Sequence, residues 1–228
     1  MMRAWVEEAL RQCPLTEDVE GYLLSRGAKP KTISEWGIKT WVSPAEAAPD
    51  ETFRERYGSH GEFFDERAII PLYSPRGALL GWDSRATEAK KASRYMIGDD
   101  QWSPVFLGIL ESLEKLWNGA TAYLIEGAFD VFALQHAYPD DAVLGTGPAR
   151  LTYSQAEFLR RYAKRVVVAF DNDPTGIKGT EKALKDLSFR RVECERLKYG
   201  RPGDDPGAIW LQGGAKAVQK IFCPFQGV

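Results

Sequence analysis

The hydrophobic pattern divides the chain into two kinds of segment. Over residues 1–40 apolar positions recur at helical spacing. Trp5, Ala9, Leu10 and Cys13 share one face of a first helix. A second helix is predicted from Thr16 to a stop at Gly27, and a short third over 31–36, ended by Gly37. Residues 43–62 carry Pro44, Pro49, Gly58 and Gly61 and predict irregular structure. From Phe63 the period shortens. Segments 67–74 and 78–85 read as strands of a β-hairpin around Pro75-Arg76-Gly77. A helix over roughly 105–117 leads to a boundary at Asn118-Gly119. Beyond it, strands at 121–127, 141–146, 166–173 and 190–198 alternate with helices at 129–137, 151–163 and 178–187. A last helix is predicted from Pro206 to Phe222. This alternation implies βαβ crossovers and a mostly parallel sheet. The expected organisation is an α+β subdomain over 1–118, an α/β domain over 119–205, and a terminal helix and tail over 206–228.

Composition narrows the class. The 228 residues are 44% hydrophobic and 27% charged, which suits a globular chain with a real core. No apolar run approaches the length of a membrane span, and the amphipathic, acidic amino terminus does not read as a targeting peptide. A cytoplasmic location is the expectation. The three cysteines (Cys13, Cys194, Cys223) form no CxxC pair, and there are only two histidines, His60 and His136. Neither a zinc site nor a disulfide framework is expected. Net charge is −2, yet six basic residues (Arg67, Arg76, Arg85, Lys90, Lys91, Arg94) face only two acidic ones (Asp83, Glu88) between 67 and 94. A solvated surface gives such a run about as readily as a polyanion site does.

The candidate chemistry lies at strand ends. The β-branched run Val166–Val168 leads into Asp171-Asn172-Asp173, and Pro174 and Gly176 then turn the chain. Open α/β sheets place their sites at the carboxyl ends of strands. Two nearby carboxylates repel each other, and a hard divalent cation removes that cost. A bare DxD, however, serves turns and helix caps more often than metals. What shifts the balance is Glu126-Gly127, at the end of the strand through Tyr123-Leu124-Ile125, and Asp204-Asp205 downstream. In a parallel sheet both strand ends share one edge. Arg67 and Arg85 lie at the outer ends of the hairpin strands, where guanidinium forks suit phosphate oxygens and equally suit salt bridges.

The ordered series resembles a known family. Glu126-Gly127 with Asp130, then Leu144-Gly145-Thr146-Gly147, then Phe170-Asp171-Asn172-Asp173 with Gly176, resembles a toprim domain. Pro202-Gly203-Asp204-Asp205-Pro206 resembles the last acidic motif of its primase branch. Upstream, Tyr22-Leu23-Leu24-Ser25-Arg26-Gly27 with Thr32-Ile33 is similar to the start of the DnaG-type primase catalytic core. Arg67-Ala68-Ile69-Ile70-Pro71-Leu72, Gly77, Gly81-Trp82-Asp83-Ser84-Arg85 and Arg94-Tyr95-Met96 are similar to its basic subdomain. The resemblance covers roughly residues 20–222 in the family's order.

That resemblance implies a template-directed RNA polymerase, a nucleotidyltransferase making short RNA primers on single-stranded DNA. It implies Mg²⁺ (or Mn²⁺) held by Glu126, Asp171, Asp173, Asp204 and Asp205, with Glu126 serving as ligand or general base. Arg67, Arg85 and Arg94 would hold nucleotide or template phosphates, supported by Lys90 and Lys91. Ribonucleoside triphosphates and a DNA template are the implied partners. A separate helicase and zinc-bearing template-recognition protein would supply what this chain lacks. Two positions depart from the family pattern: Gly207 replaces an acidic residue, and Trp102 stands where a lysine is expected. An excised core and a compact phage or mobile-element primase both fit. The alternatives are a toprim nuclease and a non-catalytic DNA-binding mediator, with a topoisomerase disfavoured for want of strand-passage domains.

Overall fold

A computed structural model describes residues 2–42, 62–88, 92–97, 104–200 and 204–221. Lys90, Lys91, Trp102, Pro202 and Gly203 lie outside the described residues. The chain divides into two compact units. The first comprises Met1–Leu72 and Ala78–Asp100, the second Tyr73–Gly77 and Gln101–Val228. This division falls at 100/101, ahead of the expected boundary at 118, and it groups the last helix with the second unit.

The first unit opens with three helices, α1 (Met2–Gln12), α2 (Glu17–Ser25) and α3 (Pro30–Glu35). Glu17, Asp18 and Glu20 fill the first turn of α2, where carboxylates complement the helix dipole. Proline at the start of α3 has its φ already set and lacks only an N–H that would go unused there. A four-stranded sheet follows in the order β1-β2-β3-β4. Its strands are β1 (Lys39–Thr40), β2 (Ala68–Tyr73), β3 (Leu79–Arg85) and β4 (Ala92–Met96). The expected hairpin strands are β2 and β3. Strands β1 and β4 were not anticipated: two residues are too few to show a period, and Ala92–Met96 mixes polar and apolar positions.

Aromatic packing holds this unit together. Trp41 stacks on Trp82 at 5.4 Å, Tyr95 lies 4.4 Å from Trp82, and Phe64 meets Trp82 edge-on at 5.2 Å. Trp41, Trp82 and Phe64 have no exposed surface, so these aromatics are core. β4 runs antiparallel to β3 and places Arg94 directly opposite Asp83. The guanidinium grips that carboxylate with both prongs, Nε–Oδ1 2.6 Å and Nη2–Oδ2 2.9 Å. β4 also packs so closely that a Cβ at Gly81 would collide with the Tyr95 carbonyl oxygen.

The second unit is a parallel α/β layer. Helix α4 (Ile109–Trp117) leads into β5 (Ala122–Ile125), α5 (Ala128–Ala137), β6 (Ala142–Gly145), α6 (Tyr153–Tyr162), β7 (Arg165–Val168), α7 (Pro174–Phe189), β8 (Glu193–Arg196) and α8 (Pro206–Ile221). The order is β6-β5-β7-β8, and every pair is parallel. Alternate strand residues (Ala122, Leu124, Ala142, Leu144, Val166, Val168) form a core with Ile109, Leu116, Phe158, Leu159, Ala183 and Leu187 of α4, α6 and α7. On the other face Tyr123 stacks on Tyr138 just past α5 at 5.4 Å, as period-two alternation requires. α5 packs along α8. α7 begins at Pro174, earlier than expected, because Asp173 caps it and proline suits the first turn. α8 is interrupted at Gly213-Gly214, where Gly214 has φ +60°. Among the described residues no helix is long and apolar enough to cross a membrane.

Replacing Asp83 with alanine removes the bidentate partner of a partly buried guanidinium, and the expected loss is about 2–4 kcal/mol of folding free energy. Urea unfolding of Asp83→Ala checks this; a loss near zero would show the pair to be dispensable.

Candidate active site

The carboxyl edge of the second sheet gathers the acidic residues. Glu126 follows β5 and Asp171 follows β7, and these strands are direct neighbours. The Asp171 backbone N–H donates to Glu126 Oε1 at 3.0 Å, tying the two strand ends together. A Cβ at Gly176 would collide with the Asp171 carbonyl oxygen, so only glycine lets the first turn of α7 close over this loop. Asp173 is exposed and caps α7, its Oδ1 accepting from the Gly176 N–H at 2.7 Å. Asp205 caps α8 through the Ala208 N–H at 2.6 Å. Asp204 enters through its backbone, its carbonyl accepting from the Asn172 N–H at 3.2 Å.

The structure adds Asp130 to the residues expected here. Its Oδ2 accepts from Gly127 N–H at 3.2 Å and its Oδ1 from Gly207 N–H at 3.0 Å. It thus joins the start of α5 to the start of α8. The spacing Glu126-x-x-x-Asp130 places it one helical turn beyond the glutamate, and that was the available signal. A Cβ at Gly207 would stand 3.0 Å from Asp130 Oδ1 and 3.3 Å from Asp205 Oδ1. The glycine that departs from the family pattern is therefore fitted against two carboxylates.

The electrostatics are those of crowded like charges. Burial, then the charge of Asp171, pushes the Glu126 carboxyl up to about 7. Burial, then Asp205 and Asp173, raises Asp171 to about 6. Asp130 is raised further by burial and by Asp205 and Asp171. Asp171 Oδ1 is buried and has no hydrogen-bond donor among the described residues. Backbone amides hold Asp130, Asp173 and Asp205, and among the described residues no three His, Cys, Asp or Glu side chains stand as a ready-made metal cluster. The donor set is nonetheless all carboxylate oxygen, with one buried oxygen unsatisfied. That chemistry fits a hard divalent cation.

The basic candidates belong to the first unit. Arg67 Nη1 lies 3.5 Å from Ser84 Oγ, and its guanidinium covers the Phe63 ring at 4.4 Å. Arg85 ends β3, next to Ser84. Arg94 is engaged by Asp83, so a phosphate would have to share or displace that carboxylate.

Comparison with known proteins bears on this arrangement. Residues 123–208 match the Toprim-like family, a stretch that runs from β5 to the start of α8 and holds every carboxylate of the acidic edge. A DNA primase domain from Pseudomonas aeruginosa superposes with a TM-score of 0.74 at 16% identity, covering 98% of this chain and 78% of that one. The structure of a DnaG primase catalytic domain bound to single-stranded DNA superposes with a TM-score of 0.69 at 19% identity, covering 93% and 73%. The fold is that of the DnaG-type primase catalytic core, with a toprim-like domain. The DNA primase of Aquifex aeolicus is 26% identical over 223 residues, 88% of this chain. This chain spans 44% of that primase's length. The stretch similar to the Toprim-like family carries the second unit's parallel sheet, and the acidic edge is the carboxyl edge of that sheet.

Because both shifts are upward, the folded core holds protons on Glu126 and Asp171 more tightly than the unfolded chain does. With divalent cations chelated, stability should therefore fall as pH rises from about 4 to about 7. The melting temperature of Glu126→Gln should fall less steeply over that range. Equal slopes in the two proteins would contradict this.

Proposed function

We propose that this chain is the catalytic core of a DNA primase, making short RNA primers on single-stranded DNA by metal-assisted nucleotidyl transfer. The observation that carries this reading is the pairing of strand ends: Glu126 and Asp171 tied at 3.0 Å on a DnaG-type fold, with Asp130 and Asp205 beside them. The DNA-bound relative supports a single-stranded DNA template.

Glu126, Asp171 and Asp205 would hold a divalent cation, Mg²⁺ or Mn²⁺, with Asp173 and Asp204 at its margin. When bound, that cation lowers the pKa of the attacking 3′-hydroxyl and offsets charge on the reacting phosphate. The chain's own share is positioning. The Asp171 N–H fixes the Glu126 carboxylate, and the Gly176 turn fixes Asp171. Glu126, whose carboxyl is raised to about 7 in the cation-free site, would serve either as a ligand of the cation or as the general base. Arg67 and Arg85 would bind nucleotide or template phosphates, with Lys90, Lys91 and Arg94 adding positive charge, so template affinity would weaken with salt. Ribonucleoside triphosphates are the substrates on this reading, and a helicase and a zinc-bearing protein acting with the chain would select the template.

The test is primer synthesis on varied single-stranded templates with ribonucleotides and Mg²⁺ or Mn²⁺. Asp171→Ala should lose at least about a hundredfold in rate, the scale set by removing a principal electrostatic group. Full-length primers from Asp171→Ala would contradict the proposal. So would metal-dependent cutting of DNA by the unaltered chain without nucleotide incorporation.

A further inference from the structure

Tyr199 belongs to none of the acidic motifs, yet its side chain reaches the same edge. It lies in the segment after β8, which pairs with β7 on the side away from β5. Its phenolic O–H donates to the Ala169 carbonyl at 2.7 Å. The Ala169 N–H bonds the Leu124 carbonyl of β5 at 2.8 Å. Ala169 directly follows β7 and stands two residues before Asp171, so Tyr199 holds it through its carbonyl while Leu124 of β5 holds it through its amide.

The surroundings agree with this placement. The phenol stands within electrostatic reach of Asp130, Asp171, Asp205 and Glu126. Burial, followed by those four charges, raises its pKa well above the usual tyrosine value. Near neutral pH it is therefore a neutral hydrogen-bond donor. A neutral donor suits this position: it satisfies the Ala169 carbonyl just past β7 without adding a charge that would compete for the carboxylates.

We propose that Tyr199 is a positioning residue that fixes the backbone at Ala169, two residues ahead of Asp171, and so sets the spacing of the Glu126 and Asp171 carboxylates for a divalent cation. This rests on the metal-dependent reading above and deepens it. Tyr199→Phe keeps the ring and deletes the donor.

The experiment measures Mn²⁺ binding to the purified chain by electron paramagnetic resonance, together with amide hydrogen exchange at Asp171. Tyr199→Phe should bind Mn²⁺ about fivefold more weakly, the scale of one lost hydrogen bond. Exchange at the Asp171 amide should quicken while the β6 amides stay unchanged. Tyr199→Leu, which also removes the ring, should bind more weakly still. Unchanged Mn²⁺ affinity and unchanged Asp171 exchange in Tyr199→Phe would overturn the inference, even if the melting temperature fell, because a merely structural tyrosine behaves that way. Absence of Mn²⁺ binding by the unaltered chain would instead overturn the metal-dependent reading, and this inference with it.

Discussion

Mutual repulsion among carboxylates at one sheet edge is the constraint on which the rest of the second unit depends. Glu126 and Asp171 follow the ends of β5 and β7, Asp130 lies in the first turn of α5 and Asp205 just before α8, and each is partly withdrawn from water. Left alone, such charges would drive strand ends and helix starts apart. The fold counters this with directed backbone amides. Asp171 N–H serves Glu126, Gly127 and Gly207 N–H groups serve Asp130, Gly176 N–H serves Asp173, and Ala208 N–H serves Asp205. Helix starts are rich in unspent N–H groups, and three helices begin here. Residual strain remains as raised proton affinity on Glu126 and Asp171. That residue of uncompensated charge is what a cation would neutralise.

Glycine makes the arrangement sterically possible. At Gly176 the backbone of α7 approaches the Asp171 carbonyl closer than any side chain permits. At Gly207 the clearance to Asp130 and Asp205 is already at the limit of contact. A larger residue at 207 would push these carboxylate oxygens back by a few tenths of an ångström. The Gly207 amide bonds Asp130, and with no side chain the position adds no negative charge of its own.

Much of this was legible in the sequence, for a physical reason. Strands buried on both faces read as continuous apolar runs, so Val166–Val168 and Tyr123–Ile125 were visible, and acidic residues at their ends fell on a known edge. Asp130 was less visible as part of the site, because an acid in the first turn of a helix ordinarily reads as dipole compensation. Tyr199 could not be read at all: its partner Ala169 is 30 residues away and the surrounding segment has no period. The pairing of Arg94 with Asp83 depends on the β3–β4 register, which a five-residue strand of mixed polarity does not announce. It redirects a residue expected to face phosphate toward a carboxylate of its own sheet.

If uncompensated charge at this edge is the organising feature, a divalent cation should stabilise the protein through these carboxylates. The direct measurement is calorimetric melting at pH 7.5 with chelator and with millimolar Mn²⁺, on the unaltered chain and on Glu126→Gln/Asp171→Asn. The account predicts that Mn²⁺ raises the melting temperature of the unaltered chain by several degrees through mass action. It also predicts little or no rise in the double variant. An unaltered chain indifferent to Mn²⁺, or an equal rise in both proteins, would contradict it.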